Sequence, residues 1–387
     1  MTAHGAHPLA RLLARKRLRV LGINSGTSVD RLDGAMVEIE TSGRATTYRV
    51  RRVFTRRFPP PLRGELCQLA IDAKVAKRRV SAAHLALGRF IGQSARLWMR
   101  GMPADLVASH GQTIAHCPDG PHRATWQIGA VNAVAIECGT AVIGDFRLAD
   151  VAAGGMGAPL SGYYHHLLFG EGVPVLNIGG IANVSVSSTV RGRLNITAFD
   201  TGPGNMILDA LAQKRVGRPF DRDGQSAARG AIQPGLLARL LALPYFQRRP
   251  PKTCGREQFG WDAVGRFFER SRLDTNDALS TATELTAWSI ADAVRRWIAP
   301  RTAHRTLVVS GGGVANRHLR DRLGAYLGEW QLTPADTLGV PARFVEPVGF
   351  AALAGETLQA RAGNCGGATG ARRMAVLGVL ALPSPEA

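Results

Sequence analysis

Cysteine is scarce in this sequence: five residues, Cys67, Cys117, Cys138, Cys254 and Cys365, stand singly along 387 positions. No C-x-x-C pair occurs and the total is odd, which excludes a disulfide framework and a cysteine zinc site. A reducing compartment is the simplest setting for such thiols. Each is read as a small buried hydrophobe, a catalytic thiol being the other reading. No apolar run reaches the ~18 residues that a membrane helix needs, so no segment is expected to span a bilayer. Neither G-x-x-x-x-G-K-[ST] nor the protein-kinase signature set is present, which disfavours a P-loop enzyme and a protein kinase. Acidic residues are few as well, with 29 Asp and Glu against 48 Lys and Arg for a net charge of +19. The basic residues are spread along the whole chain without an aromatic-interleaved stripe, so nucleic acid is not expected as the partner. Charge of this sign can instead help to collect anionic nucleotides.

The opening stretch MTAHGAHPLARLLARKRLRV is basic and leucine-rich but lacks a long apolar core with a small-residue cleavage site. It reads as a surface tail entering the first strand; an organellar presequence would share its Arg-rich, acid-poor character. A chain of 387 residues is more than one hydrophobic core usually organises, which suggests two lobes. The 45 glycines cluster in short groups that look like functional turns.

Two segments begin alike, with a β-branched run, a Gly-rich turn and a second alternating run. They are LRVLGINSGTSVDRLDGAMVEIE, from Leu18 to Glu40, and VPVLNIGGIANVSVSSTV, from Val173 to Val190. Both read as β-hairpins, and their recurrence half a chain apart hints at a duplicated domain. A third segment, TLVVSGGGVANRHLRDRLGAYL from Thr306 to Leu327, reads strand, glycine turn, helix. Helices are expected over Ser81 to Met99 and Leu279 to Ile298, so the class is α/β. The break LPYFQRRPPKTCGREQFG, Leu243 to Gly260, cannot be regular helix across Pro250 and Pro251. A loop this long is expected to serve a cleft or a subunit interface.

Three glycine turns, each after a strand, suit a nucleotide enzyme, because glycine lets backbone N–H groups approach phosphate oxygens. G-T-S-V-D at Gly26 to Asp30 adds two hydroxyls and a carboxylate; by itself it could equally be an ordinary hairpin tip. The ordered series GINSGTSVDRLDGA, SHGQT, GDFRLADVAAGGMGAPL, LNIGGIANVSV, FDTGPGN, DRDG, PPKTCGREQFG, SGGGVAN and FVEPVGFAALA resembles the anhydro-N-acetylmuramic acid kinase family. The match covers roughly residues 18 to 380, and so many weak motifs in one order make a specific signal.

The resemblance implies a two-lobed actin-like ATPase (ribonuclease H-like) fold, a duplicated domain with an ATP cleft between lobes that closes during turnover. The division it implies is a basic tail 1–17, an N-terminal lobe 18–170, a C-terminal lobe 171–360 and a segment 361–387 packing back on the N-terminal lobe. It implies ATP and Mg²⁺, an amino-sugar substrate, a homodimer and a bacterial cytoplasmic setting. In the implied reaction, part of peptidoglycan recycling, water opens the 1,6-anhydro bridge and O6 takes the γ-phosphoryl group. Another amino sugar as substrate, or a non-catalytic sensing relative, are the alternatives kept open.

By the same resemblance Asp200 aligns with a catalytic aspartate that deprotonates the attacking water; read alone it is a turn aspartate ahead of Gly202 and Pro203. ATP is assigned Gly26, Thr27, Ser28, Val29, Asp30, Arg31, Leu32 and Asp33 in the first hairpin. Asn177, Gly179, Gly180 and Asn183 serve it in the second, with Gly311, Gly312, Gly313 and Asn316 on the adenosine side. The sugar is assigned Ser109, His110, Gly111, Gln112, Thr113, Asp145, Arg147 and Glu346, the last of which, read alone, is a solvated helix-start carboxylate. His110 and His116 lack a metal-ligand partner and are expected to hydrogen-bond sugar or backbone. Asp145 and Arg147 could form a structural ion pair or face the sugar. Mg²⁺ is expected near Asp30 and Asp33, held through water, because Asn24 stands where many relatives of the fold carry aspartate. Other departures are Arg31 for a usual glycine, Met156 for Gln, Cys254 for Thr and Arg343 for Asp. Arg31 would be strained if its turn needs positive φ, or else free to pair with phosphate.

Overall fold

The computed structural model describes residues 8–26, 28–42, 45–72, 74–118, 120 and 123–384. Its strands are β1 (Arg17–Ser25), β2 (Arg31–Ser42), β3 (Ala45–Arg57), β4 (Leu106–Ser109), β5 (Gln112–Cys117), β6 (Ala124–Ile128) and β7 (Val142–Gly144). There follow β8 (Val175–Ile178), β9 (Ile181–Val190), β10 (Arg193–Pro203), β11 (Thr306–Ser310), β12 (Gln331–Pro334) and β13 (Val379–Ala381).

Two sheets follow one plan. The first has the order β13-β7-β4-β1-β2-β3, in which β1, β2 and β3 form an antiparallel meander and β4 and β7 continue parallel to β1. The second has the order β10-β9-β8-β11-β12, with β8, β9 and β10 as the meander and β11 and β12 parallel to β8. A three-stranded meander followed by parallel strands therefore occurs twice, which is the duplicated ribonuclease H-like α/β arrangement the sequence led one to expect. β5 and β6 form a separate two-stranded sheet.

The central strands are buried on both faces, as their apolar runs require. Leu21, Ile23 and Leu32 are at most 1% exposed, each contributing about 1.5 to 3 kcal/mol of transfer free energy. The helix Lys77–Trp98 covers them with Val80, Ala83, Leu87, Phe90 and Ile91, a helical period. Gly22 on β1 is an approach point: a Cβ there would lie 1.9 Å from the carbonyl oxygen of Pro347, so the helix Val345–Leu358 rests directly on the strand. In the second sheet the helix Thr275–Ala293 buries Ala287, Ile290 and Ala291 against Val184, Phe199 and Val309. Its start is fixed by Asp274, whose side chain accepts the Asp277 N–H at 2.9 Å.

Contacts divide the chain into two units, 1–160 with 346–366 and 370–387, and 161–345 with 367–369. Residues 346–360 fall in the first unit because of the packing of Pro347 on Gly22. Residues 161–170 fall in the second, because the helix Ser161–Phe169 lies on its sheet: a Cβ on Gly162 would meet Ala198 Cβ at 2.7 Å. Among the described residues no helix is long and apolar enough to cross a membrane.

Candidate active site

The first unit carries the G-T-S-V-D turn. β1 and β2 pair from Arg17↔Glu40 to Ser25↔Leu32, and the chain reverses over residues 26–30. Thr27 lies outside the described residues. The Val29 N–H donates to Gly26 O at 3.1 Å, and Ser28 Oγ donates to Asp30 Oδ1 at 2.7 Å. Positive φ falls on Val29 (50°), not on Arg31. That is an outlier for a β-branched residue, costing on the order of 1 to 3 kcal/mol, and such strain persists only where its surroundings enforce it. Burial of its side chain and the bond from Arg63 Nε to Val29 O at 3.1 Å do so here. Leu32 is buried too, so these two residues can offer a ligand only backbone.

Arg31 opens β2 in extended conformation and is therefore unstrained. Its guanidinium lies 3.1 Å from Asp30 and 3.6 Å from Asp33, and Asp33 also accepts from Thr55 Oγ1 at 2.7 Å. The two carboxylates expected near a metal are thus bridged by a cation. Among the described residues no group of three or more His, Cys, Asp or Glu is placed to hold a metal ion.

The polar turn after β4 is knitted to β1. Ser25 Oγ donates to Gln112 Oε1 at 2.6 Å, the Thr113 hydroxyl accepts from Gln127 Nε2 at 3.1 Å, and the His110 N–H donates to Ile23 O at 3.1 Å. Ser109 Oγ is buried with no hydrogen-bond partner. Arg147 Nε donates to His110 Nε2 at 2.8 Å, and its Nη1 donates to Gly157 O at 2.8 Å. Because a guanidinium only donates, His110 Nε2 must accept, which leaves the proton on Nδ1 to donate to Gly111 O at 3.2 Å. Burial, then the neighbouring Arg147 charge, hold the imidazole neutral, its pKa pushed well below the usual histidine range. Phe350 stacks on the ring at 4.5 Å.

Glu346 Oε2 accepts from Asn24 Nδ2 at 2.6 Å, and Asn24 Oδ1 is buried without a partner. Burial pushes the Glu346 carboxyl up, against the opposing pull of Arg147 and of the Asn24 bond. Asp145 follows β7 in left-handed conformation, φ 55°, and burial raises its pKa as well. Its neighbour His84 accepts the Gly129 N–H at 3.1 Å and is lowered by burial. His116 Nδ1 lies 3.2 Å from the Thr125 hydroxyl.

In the second unit the turn at Gly179 and Gly180 links β8 to β9, and its carbonyls accept the N–H groups of Gly204, Asn205 and Met206 at 2.8–3.1 Å. Asn183 sits in register with both Asn177 and Asp200, and its Oδ1 accepts from Ser161 at 3.2 Å. Gly311 has φ 86°, and a Cβ there would lie 2.5 Å from Ile178 O and 2.6 Å from Asn177 Oδ1. Gly313 packs on Ile178 in the same way. Gly312 alone of the three faces open space, with nothing within 4 Å of a built Cβ. Asn316 serves as the cap of the helix Arg317–Leu327, accepting the Leu319 N–H at 3.0 Å.

Asp200 stands on the edge strand β10, where the register shifts between Asp200 and Gly202. The proline-broken loop folds onto it. Cys254 N–H donates to Asp200 Oδ2 at 2.9 Å, Tyr245 Oη donates to Asp200 O at 2.6 Å, and the Asp200 N–H donates to Lys252 O at 3.1 Å. Lys252 is buried, with Nζ donating to Tyr245 O at 3.3 Å and lying 4.5 Å from the Tyr245 ring centroid. Burial lowers its ammonium to about 8. The Cys254 thiol is pushed well up by burial and then by Asp200, which disfavours the thiolate.

A profile of the family described as Anhydro-N-acetylmuramic acid kinase matches residues 18–383. A protein of that name from Coxiella burnetii is 35% identical over 370 residues, covering 94% of this chain and 97% of its own. One from Xanthomonas axonopodis pv. citri is 38% identical over 379 residues, covering 93% and 97%. The chain belongs to the anhydro-N-acetylmuramic acid kinase family. Among solved structures, an activator of 2-hydroxyisocaproyl-CoA dehydratase from Clostridium difficile aligns with TM-score 0.43 and 12% identity, covering 88% of this chain and 96% of that one. A ROK family glucokinase from Streptomyces griseus aligns with TM-score 0.38 and 15% identity, covering 87% and 98%.

For this anhydro-N-acetylmuramic acid kinase family member, the sequence singled out Asp200 but not Tyr245 or Lys252, and marked Cys254 only as a departure from the family pattern. Tyr245 carried no signal of its own. Lys252 and Cys254 lay inside P-P-K-T-C-G-R-E, and the available signal was a lysine and a glycine turn in a loop too long to be a simple connection.

Proposed function

We propose that this chain is an ATP-dependent kinase that hydrolytically opens 1,6-anhydro-N-acetylmuramic acid and phosphorylates O6, releasing N-acetylmuramic acid 6-phosphate and ADP. The observation that carries the reading is family membership over residues 18–383 joined to a carboxylate, Asp200, fixed by a main-chain donor at 2.9 Å. Water is a poor nucleophile, and a positioned carboxylate contributes about 10² to 10⁴ in rate. Asp200 takes a proton from water as the water oxygen bonds to C1. The C1–O6 bond breaks, O6 bonds to the γ-phosphorus, and ADP departs with the bridging oxygen.

ATP suits the glycine turns because a Cβ on Gly312 would meet nothing within 4 Å and one on Gly26 would meet only Ser28 Oγ, at 4.0 Å, so a phosphate or ribose can approach the backbone there. In the first unit, Ser28 is the exposed hydroxyl assigned to phosphate, and Arg31 is assigned to neutralise Asp30 and Asp33 beside it. With Arg31 bridging these carboxylates, the nucleotide's phosphates and water would supply most of the ion's ligands. Arg147, oriented by His110 and Gly157, and Glu346, oriented by Asn24, are assigned to the sugar. A bacterial cytoplasmic location, a role in peptidoglycan recycling and a homodimeric state complete the proposal.

The test is to incubate the protein with ATP, magnesium chloride and the anhydro sugar and to weigh the product. A product heavier by one water and one phosphoryl group supports the reading. A gain of the phosphoryl group alone, or ADP without a sugar phosphate, would overturn it.

A further inference from the structure

Asp200, Tyr245 and Lys252 are joined in a closed ring of hydrogen bonds. Tyr245 Oη donates to Asp200 O at 2.6 Å, Lys252 Nζ donates to Tyr245 O at 3.3 Å, and the Asp200 N–H returns to Lys252 O at 3.1 Å. β10 is the outermost strand of its sheet, so main-chain groups on its free side would otherwise be left to solvent. At Asp200 the loop takes both. The same loop reaches the carboxylate through Cys254 N–H. The register shift between Asp200 and Gly202 lies at this point, where ladder pairing alone holds the strand less firmly.

The anchor of the ring is aromatic. Tyr245 is buried beside Phe259 at 5.2 Å and Phe246 at 6.0 Å, both rings close to perpendicular to it. Its hydroxyl therefore approaches Asp200 from a fixed position. The Lys252 ammonium lies over the Tyr245 ring and 5.9 Å from the Phe199 ring, on the residue preceding Asp200.

We propose that Tyr245 is a positioning residue for Asp200, with Lys252 locking Tyr245 in place. The inference rests on the reading of Asp200 as the general base. A small rotation of a base away from its water costs rate while leaving substrate binding largely intact, so the effect belongs in kcat.

The experiment is a double-mutant cycle on the full chain, read as kcat and KM for sugar and ATP. Tyr245→Phe keeps the ring in its aromatic cluster and removes only the hydroxyl. It is expected to lower kcat about tenfold with both KM values within about twofold of the parent. Asp200→Asn alone is expected to lose at least about a hundredfold. In the Asp200→Asn background, Tyr245→Phe should cost no more than about twofold further, since a positioning group has nothing left to position. Lys252→Met, which keeps an apolar stem without the donor, should act in the same direction as Tyr245→Phe and serves if that variant fails to fold. A full tenfold loss repeated in the Asp200→Asn background would overturn the proposal, as would normal kcat in Tyr245→Phe. Unimpaired turnover by Asp200→Asn would overturn the base assignment and the proposal with it.

Discussion

Adjacent glycines at 311 and 312 should respond in opposite ways to the same added methyl group. Gly311→Ala places a Cβ 2.5 Å from Ile178 O and 2.6 Å from Asn177 Oδ1, at φ 86°. With ψ at 175° this is a backbone region that is essentially glycine's alone, and it costs an alanine about 1 to 3 kcal/mol. Overpacking against backbone, which cannot rotate away, adds about 1 to 3 kcal/mol. The sum, roughly 2 to 6 kcal/mol, should lower the urea midpoint of the second unit's unfolding transition and disturb Asn177. Gly312→Ala meets nothing within 4 Å, so its stability should stay within about 0.5 kcal/mol of the parent. If Gly312 faces the nucleotide, its methyl group enters the ligand's space and KM for ATP should rise about tenfold or more. Urea unfolding followed by fluorescence, with ATP kinetics on the same preparations, reads both arms. A Gly311→Ala protein as stable as the parent would refute the steric reasoning. Gly312→Ala with unchanged KM would refute the assignment of that turn to ATP.

Asp200→Asn should keep nucleotide binding and lose at least about a hundredfold in kcat; near-normal turnover would sink the base assignment. Arg31→Gly leaves Asp30 and Asp33 without the cation that bridges them, and like charge beside the triphosphate should raise KM for ATP about tenfold. Kinetics equal to the parent would refute that role, and a faster enzyme would show that Arg31 obstructs the turn. His165 is buried, accepts or donates at Ser185 Oγ over 2.8 Å, and has its pKa lowered by burial to about 3. The unfolded chain then binds a proton below about 6.5 that the native state refuses, so stability is full above that pH and falls as pH drops towards 3, by about 2 kcal/mol between pH 7 and 5. His165→Asn should flatten that part of the urea-midpoint-against-pH curve, and an unchanged slope would exclude His165 as its source.

The fold was legible where local pattern and global topology agree. The two hairpins, from Leu18 and from Val173, announced themselves by alternation and glycine, and became β1–β2 and β8–β9. The helix expected over Leu279 to Ile298 starts earlier, at Thr275, because the Asp274 cap is a short-range signal that an apolar-face argument ignores. Its last turn, Val294–Ile298, widens to π-helix. The strand β3, Ala45–Arg57, alternates too, but with Arg49, Arg51, Arg52 and Arg57 exposed it reads as polar loop unless its pairing with β2 is known.

What stayed hidden at the site is long-range. Glycine in S-G-G-G says that backbone comes close to something, but only contacts from Ile178 and Asn177 separate two structural glycines from the open one between them. The same holds for Arg31, whose partners two residues on and one residue back are near in sequence but face it only because β2 is extended from its first residue. Asp200 is the sharpest instance. An aspartate before Gly202 and Pro203 is a turn residue by local rules, and nothing nearby argues otherwise. Its rigidity comes from Tyr245, Lys252 and Cys254, at least 45 residues away and beyond two helices. A carboxylate at the free edge of a sheet has no second strand to hold it, so the chain must bring back some other segment. That is why the proline-broken segment 243–260, which holds only the short turns of helix Pro244–Gln247 and Arg256–Phe259, is the element whose physical constraints matter most for Asp200.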